Sequence, residues 1–457
     1  MNHADDTIAA IATPPGEGGI AVVRVSGPDA HQVARVVLAL EEGTLLEPRV
    51  AHLRHAIGTR GEVLDEVLAL WMPRPHSYTR EDVLELQCHG GFSAARVVLE
   101  ATLAGGARLA EPGEFTLRAF LNGRLDLLQA EAVVDVIRAR TAESLRVHED
   151  LLAGRLSQVV ETWQQHLAHV LTFLEAHLDF ADEEDVGSFA PGPSVAALGS
   201  LLSEMEERLG TFPWGRACRD GYTVAILGAP NTGKSSLLNT LLEEDRAIVS
   251  SVPGTTRDAV DGWVNALGVS VRLVDTAGLR DTSDEIEGEG VSRARAAAER
   301  ADLILFVTDG SRELCAGETL ELKRLAAAGK TLAVVNKIDL QRVPVRTLAE
   351  EFGAPPLEIS ALTGAGIPQL LHALRDRAWG GEGSGCEVPP TRKRHHQCVA
   401  AAASAVRQAI QVLEQNGFLE VAASELHGAR RHLAELLGHG TAEDVLQAVF
   451  SDFCIGK

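Results

Sequence analysis

Residues 228–235 read GAPNTGKS, with an apolar strand candidate at 223–227 before them and a helix candidate opening at Ser236. Glycines followed by Lys-Ser at this spacing let backbone N–H groups face phosphates, Lys234 reach the outer phosphates and the Ser235 hydroxyl ligate magnesium. Asn231, Thr232, Gly233 and Ser236 complete the loop, which by itself predicts only a nucleoside triphosphate site.

The base is specified about a hundred residues later by Asn336-Lys337-Ile338-Asp339, behind the apolar strand candidate 331–335. A carboxylate at Asp339 accepts hydrogen bonds from guanine N1–H and its 2-amino group, whereas adenine offers no such pair of donors. Buried polar groups left unpaired by the wrong base make such a site selective. Between these motifs, the alternating run 269–274 leads into Asp275-Thr276-Ala277-Gly278, which places Asp275 near magnesium through water and the Gly278 N–H near the outer phosphate. A last strand is expected to end at Ile359-Ser360-Ala361 and to close over the guanine edge. Four elements in this order, each at a strand end, predict a GTPase.

The positioning elements follow from the rest of the chain. At 457 residues and 45% hydrophobic content, length suggests about three domains, with the GTPase unit filling only the middle. Residues 1 to about 120 read as strands and turns with some helix, including β-like 8–13 and 20–26 around a Pro- and Gly-rich turn. Helical periodicity runs from about 125 to 214 and returns from 397 to the end, after a Gly-rich linker at 380–385. The economical reading is a discontinuous helical domain with the GTPase inserted between its halves.

Six cysteines without a CxxC pair fit a reducing cytoplasm. The first residues lack a basic, apolar leader, and no run of eighteen apolar residues follows, which argues against export and membrane spanning. Net charge is −22, from 42 basic and 64 acidic residues, and repels nucleic acid at long range. The best local basic cluster, Arg392-Lys393-Arg394-His395-His396, reads as a solvated start to an Ala-rich helix.

Four further segments carry a family resemblance: DTIAAIATPPGEGGIAVVRVSG at 6–27, SYTREDVLELQCHGG at 77–91, EPGEFTLRAFLNGRLDLLQAEAV at 111–133 and the terminal FCIGK at 453–457. With the nucleotide motifs, the chain resembles the tRNA modification GTPases MnmE (TrmE), within the TrmE-Era-EngA-YihA-Septin-like superfamily. The resemblance implies a multidomain α/β architecture. Residues 1–120 would form an α+β tetrahydrofolate-binding-like dimerisation domain. Residues 121–217 and 381–457 would form the helical domain, the latter with the tail, around an inserted Ras-like P-loop G domain at 218–380. It implies a homodimer that works with a flavin-dependent protein, GidA (MnmG), in a heterotetramer. Together they attach an aminomethyl or carboxymethylaminomethyl group to carbon 5 of the wobble uridine of certain tRNAs, with a one-carbon unit from a tetrahydrofolate derivative in its 5-formyl or methylene form.

In Ras-like enzymes a glutamine after DxxG orients water and an arginine finger stabilises the transition state. Leu279 stands at that glutamine position. The resemblance supplies replacements: Asn231 and the loop Ser250-Ser251-Val252-Pro253-Gly254-Thr255-Thr256 match the family's potassium site. Potassium would be held by Asn231 and by backbone oxygens of Ser250, Val252 and Thr255. Thr256 would join Ser235 on magnesium. Glu287, twelve residues after Asp275, aligns with the family's catalytic glutamate and would position water when two G domains meet.

The same resemblance assigns folate binding to Arg24, Glu81, Arg124 and Lys457, the tail reaching an N-terminal domain across the dimer. A carboxylate suits the amino-pyrimidine edge of a pterin and cations suit a glutamate tail. Arg80 replaces a glycine common in the family, which implies a different local turn, and Arg124 replaces a common lysine. For Cys454 a chemical role stands against one in packing or positioning the tail. Two other classes compete. A ribosome-assembly GTPase would carry a KH-like GxxG module or a second G domain, and a folate-dependent transferase would use the GTPase only for regulation.

Overall fold

The computed structural model describes residues 6–44, 46–179, 190–243, 261–275, 296–326, 329–341, 355–380, 388–415, 417–451 and 453–456, without the side chains of Glu243, Asp261 and Asp275. The chain forms two compact units, one of Met1–Val134, Leu152–Glu161 and Arg431–Lys457, the other of Asp135–Leu151 and Thr162–Arg430.

Among its described residues the first unit holds six strands: β1 (Ile8–Ile11), β2 (Ile20–Ser26), β3 (Ala51–Ile57), β4 (Val63–Met72), β5 (Val83–His89) and β6 (Arg108–Leu109). They lie in the order β3-β4-β5-β2-β1-β6, antiparallel except for β1 beside β6. Alternation in β2 and β5 turns Val23, Val25, Leu84 and Leu86 into a core covered by helices Ala30–Val37 and Phe92–Ala104. A second cluster, Ile8, Ala10, Ala110 and Phe115 with Tyr78, involves helix Glu114–Leu121. β3 is an edge strand with most residues exposed.

Described segments from near both termini meet in this unit. Phe450 and Phe453 pack with Leu127, Ala130 and Val134, and the Gly113 N–H donates to the Cys454 carbonyl at 3.5 Å. Gly456 has φ 96°, and a Cβ there would lie 2.3 Å from the Ile11 carbonyl oxygen, so only glycine permits this approach. The tail thus reaches the N-terminal strands of its own chain. The expectation of a tail crossing the dimer is corrected for residues 453–456: the apolar burial of Phe450 and Phe453 docks them in cis.

The second unit holds β7 (Tyr222–Leu227), β8 (Asp261–Ala266), β9 (Val269–Asp275), β10 (Leu303–Asp309), β11 (Thr331–Asn336) and β12 (Leu357–Glu358). Their order is β12-β11-β10-β7-β9-β8, all parallel except β8. β10 is buried at every residue, as a central strand covered on both faces requires. Helices Lys234–Glu243 and Ile367–Trp379 supply Leu237, Leu241, Leu370 and Leu374 to one core, and Ala316–Ala326 supplies Leu322 to another. Strand order reverses at β7, the switch point where such sheets bind ligands beyond their strand ends.

Helix Lys393–Glu414 packs against Pro191–Gly210, its Ala402, Ala403, Ala405 and Ala409 allowing close approach. The start of this helix differs from expectation. Arg392 is buried and donates to Asp135 at 2.8 Å, and His395 is 1% exposed. Two of the five residues are therefore buried, and Arg392 serves an internal ion pair instead of standing in solvent. The expected last strand is also shorter, with β12 ending at Glu358, although the Ile359 N–H still donates to the Val335 carbonyl at 2.8 Å. Among the described residues no helix is long and apolar enough to cross a membrane.

Candidate functional site

β7 delivers the phosphate loop to the switch point, and the helix from Lys234 follows it directly. Asn231 and Gly233 both take left-handed backbone, φ 64° and 91°. A side chain at Gly233 would stand 2.3 Å from the Asn336 amide nitrogen, so glycine lets the base-side motif close on the loop. Thr232 is fully buried, while Asn231, Ser235 and Ser236 are exposed. Lys234 curls over the loop, its Nζ donating to the Ala229 carbonyl at 2.6 Å.

The base-side motif grows from the end of β11 and is built into the same structure. Asn336 Nδ2 donates to the Thr232 carbonyl at 2.9 Å, and its Oδ1 accepts from the Ala361 N–H at 2.9 Å. One buried amide thus joins the phosphate loop, β11 and the segment after β12. Ser360 Oγ donates to Asp339 Oδ1 at 2.5 Å and orients that carboxylate. The Ile338 N–H donates to the Ile359 carbonyl at 3.2 Å. The predicted Asn336, Lys337, Ile338, Asp339, Ser360 and Ala361 therefore come together, beside the predicted phosphate loop.

Asp309, at the end of β10, was not singled out by sequence. Lys337 Nζ donates to its Oδ2 at 2.6 Å and to the Asn231 carbonyl at 2.7 Å, pinning the base-side motif to the loop apex. Burial pushes the Asp309 carboxyl up, but the Lys337 ammonium and Ser311 hold it below the usual carboxylate range. Its signal was the Asp309-Gly310-Ser311 turn at an apolar strand's end. Asp275 ends β9 with its backbone opposite Ile226 of β7. Ser250, Ser251, Val252, Pro253, Gly254, Thr255, Thr256, Thr276, Ala277, Gly278, Glu287 and Lys457 lie outside the described residues.

In the other unit, Arg24 and Arg124 are gathered on one ring: their guanidinium carbons lie 5.3 and 4.7 Å from the Tyr78 centroid. Arg24 also pairs with Glu85 at 2.8 Å, and Arg124 donates to the Tyr78 carbonyl at 2.8 Å. Glu81 does not pair with Arg24; it accepts from Ser26 Oγ at 2.7 Å and from Arg118 at 3.3 Å. Arg118, only 2% exposed, also pairs with Asp6 and Glu114. Burial pushes Glu114 up, but Arg108, the Glu111 N–H and Arg118 hold it below the ordinary range. Tyr78, Ser26 and Arg118 escaped the sequence reading because their roles depend on which strands become neighbours. Arg80 keeps a left-handed conformation, φ 60°, and donates to the Asn122 carbonyl at 3.0 Å. The turn thus keeps the backbone that suits glycine despite the arginine, which corrects the expected change of turn. Cys454 is exposed.

Phosphate loop, the strand ending at Asp275 and NKID on one largely parallel sheet define a P-loop GTPase domain, carried on a chain with a second, α+β unit. Two family models match, the GTP-binding protein TrmE N-terminus at residues 7–124 and the MnmE helical domain at 127–454. The tRNA modification GTPase MnmE of Geobacter sulfurreducens is 44% identical over 459 residues, with 100% of each chain covered. That of Koribacter versatilis is 42% identical over 457 residues, with 99% of each covered. A crystal structure of Aquifex aeolicus Era with GDP and AlF4− is 28% identical, covering 40% of this chain and 66% of that one at a TM-score of 0.28. The chain belongs to the MnmE family of tRNA modification GTPases and is a GTP hydrolase.

Proposed function

We propose that GTP hydrolysis by this chain drives formation of an aminomethyl or carboxymethylaminomethyl group on carbon 5 of the wobble uridine of certain tRNAs. The reaction takes place in the cytoplasm with a flavin-dependent GidA (MnmG) partner. The observation that carries this reading is the assembled base pocket of Asn336, Asp339 and Ser360, on a chain matching MnmE relatives from end to end.

Ser235, exposed in the first turn after the phosphate loop, would hold magnesium with Thr256, and such an ion would supply charge neutralisation at the phosphates. Asn231, exposed at the loop apex, would hold potassium with backbone oxygens of Ser250, Val252 and Thr255, supplying the charge that an arginine finger gives in Ras-like enzymes. Glu287 orients the attacking water when two G domains meet. Arg24 and Arg124, gathered on Tyr78, bind the anionic part of a reduced folate together with Lys457, and Glu81 reads its amino-pyrimidine edge. Dimerisation is supported by Leu53 and Leu68, directly opposite each other on β3 and β4 and 58% and 38% exposed.

Nucleoside analysis of tRNA from cells lacking the protein tests the reading. Unmodified wobble uridine is expected, and normal tRNA alongside defective ribosomal subunits refutes it.

A further inference from the structure

The β8–β9 hairpin joins two parts of the nucleotide site. Thr256 lies five residues before β8, and Asp275 is the last residue of β9. The hairpin is paired from Asp261 with Val274 through Ala266 with Val269, which ties its two strands together. Among the described residues β8 is an edge strand with β9 as its sheet neighbour. What holds the hairpin's far end therefore bears on where Asp275 lies beside Ile226 of β7.

That end is held by the segment between helices Leu127–Arg138 and Ala142–Leu152. Thr141 Oγ1 donates to the Gly268 carbonyl at 2.7 Å, and a Cβ at Gly268 would stand 3.2 Å from Glu143 Cβ. The Arg140 guanidinium lies 3.6 Å from the centroid of the Trp263 ring, on β8. The same indole abuts Gly221, the residue before β7, where a Cβ would come within 2.5 Å of it. Trp263 is thus gripped by a cation from the helical segment and by the root of the strand that carries the phosphate loop. Indole is the best aromatic partner for a cation, and the planar stacking of a guanidinium fixes orientation as well as distance.

We propose that Arg140 and Thr141 are positioning residues for GTP hydrolysis, clamping the β8–β9 hairpin so that Asp275 is set against the phosphate loop. They act through the hairpin and not on the nucleotide. The proposal rests on the reading of Asp275 as a holder of magnesium through water.

The test is steady-state GTP hydrolysis by the full chain, at varied GTP and varied Mg2+, for Arg140→Ala, Thr141→Val and Thr141→Ser. Valine keeps the shape and removes the donor, whereas serine keeps the donor. Arg140→Ala and Thr141→Val are expected to lower kcat about two- to thirtyfold, with KM for GTP within about twofold of wild type. Both should raise the Mg2+ concentration needed for half-maximal turnover, and Thr141→Ser should restore wild-type behaviour. Unchanged kcat and Mg2+ dependence in both variants, or losses that simply follow a falling Tm, overturn the clamp. Asp275→Asn separates the two layers. If it leaves the Mg2+ dependence unchanged, the magnesium reading fails; if it shifts that dependence and the clamp variants do not, the clamp alone fails.

Discussion

Replacing Asn336 by alanine should damage nucleotide binding far more than the loss of one side chain suggests. The amide is 2% exposed and makes two hydrogen bonds of 2.9 Å, one to the Thr232 carbonyl in the phosphate loop and one from the Ala361 N–H. Thr232 is itself fully buried, so water does not readily replace the lost donor. A buried polar group stripped of its partner costs about 1–3 kcal/mol, so two such groups give about 2–4 kcal/mol after local relaxation. Expressed in binding, that is a weakening of roughly thirtyfold to nearly a thousandfold, at about 1.4 kcal/mol per factor of ten. Calorimetric titration with GDP, which avoids turnover, measures it directly. Asn336→Asp should fare no better, because a carboxylate oxygen would then face the Thr232 carbonyl. If Asn336→Ala binds GDP within about threefold of wild type, while melting as a folded protein, the amide is not the bridge described here.

Four further outcomes are expected. GTP turnover should be much faster in potassium than in sodium at matched ionic strength, because the smaller ion fits the same oxygen cage poorly; equal rates reject the potassium site at Asn231. Asp339→Asn should weaken GTP and favour xanthosine triphosphate, whose carbon 2 carries oxygen, and retained GTP preference in competition would show that Asp339 does not read the base. Gly456→Val should drive a side chain into the Ile11 carbonyl and displace the tail, impairing folate binding by calorimetry and wobble-uridine modification but leaving GTP hydrolysis intact; full modification would make the docked tail dispensable. Burial holds His148 below its ordinary value, outweighing the pull of Asp135. The unfolded chain therefore gains a proton as pH falls through about 6.5 while the folded chain does not, and stability drops toward acid pH. Tm should accordingly fall more between pH 7 and 5.5 in wild type than in His148→Phe, and equal falls would contradict a neutral buried imidazole.

What the sequence determined by itself was local chemistry. GAPNTGKS and NKID each occupy a few consecutive residues at the end of an apolar strand, so Lys234, Ser235 and Asp339 could each be placed just beyond a strand end. Alternation in β2 and β5 and the periodicity of the long helices were likewise readable, because one face of each must be buried. What only tertiary structure decided were the pairings between distant segments. Arg392 looked like a solvated charge until Asp135, 257 positions earlier, came to lie against it. Thr141 had no visible task before the hairpin turn at Gly268 met it, and Arg118 none before Asp6, Glu81 and Glu114 surrounded it. The tail's docking on its own chain depended on a close approach at Gly456 that only packing could set. The physical reason is the same in each case. Periodicity reports which face of an element is buried, but the partner that meets a buried polar group is chosen by how whole elements pack, and a charged residue's type alone favours the solvent.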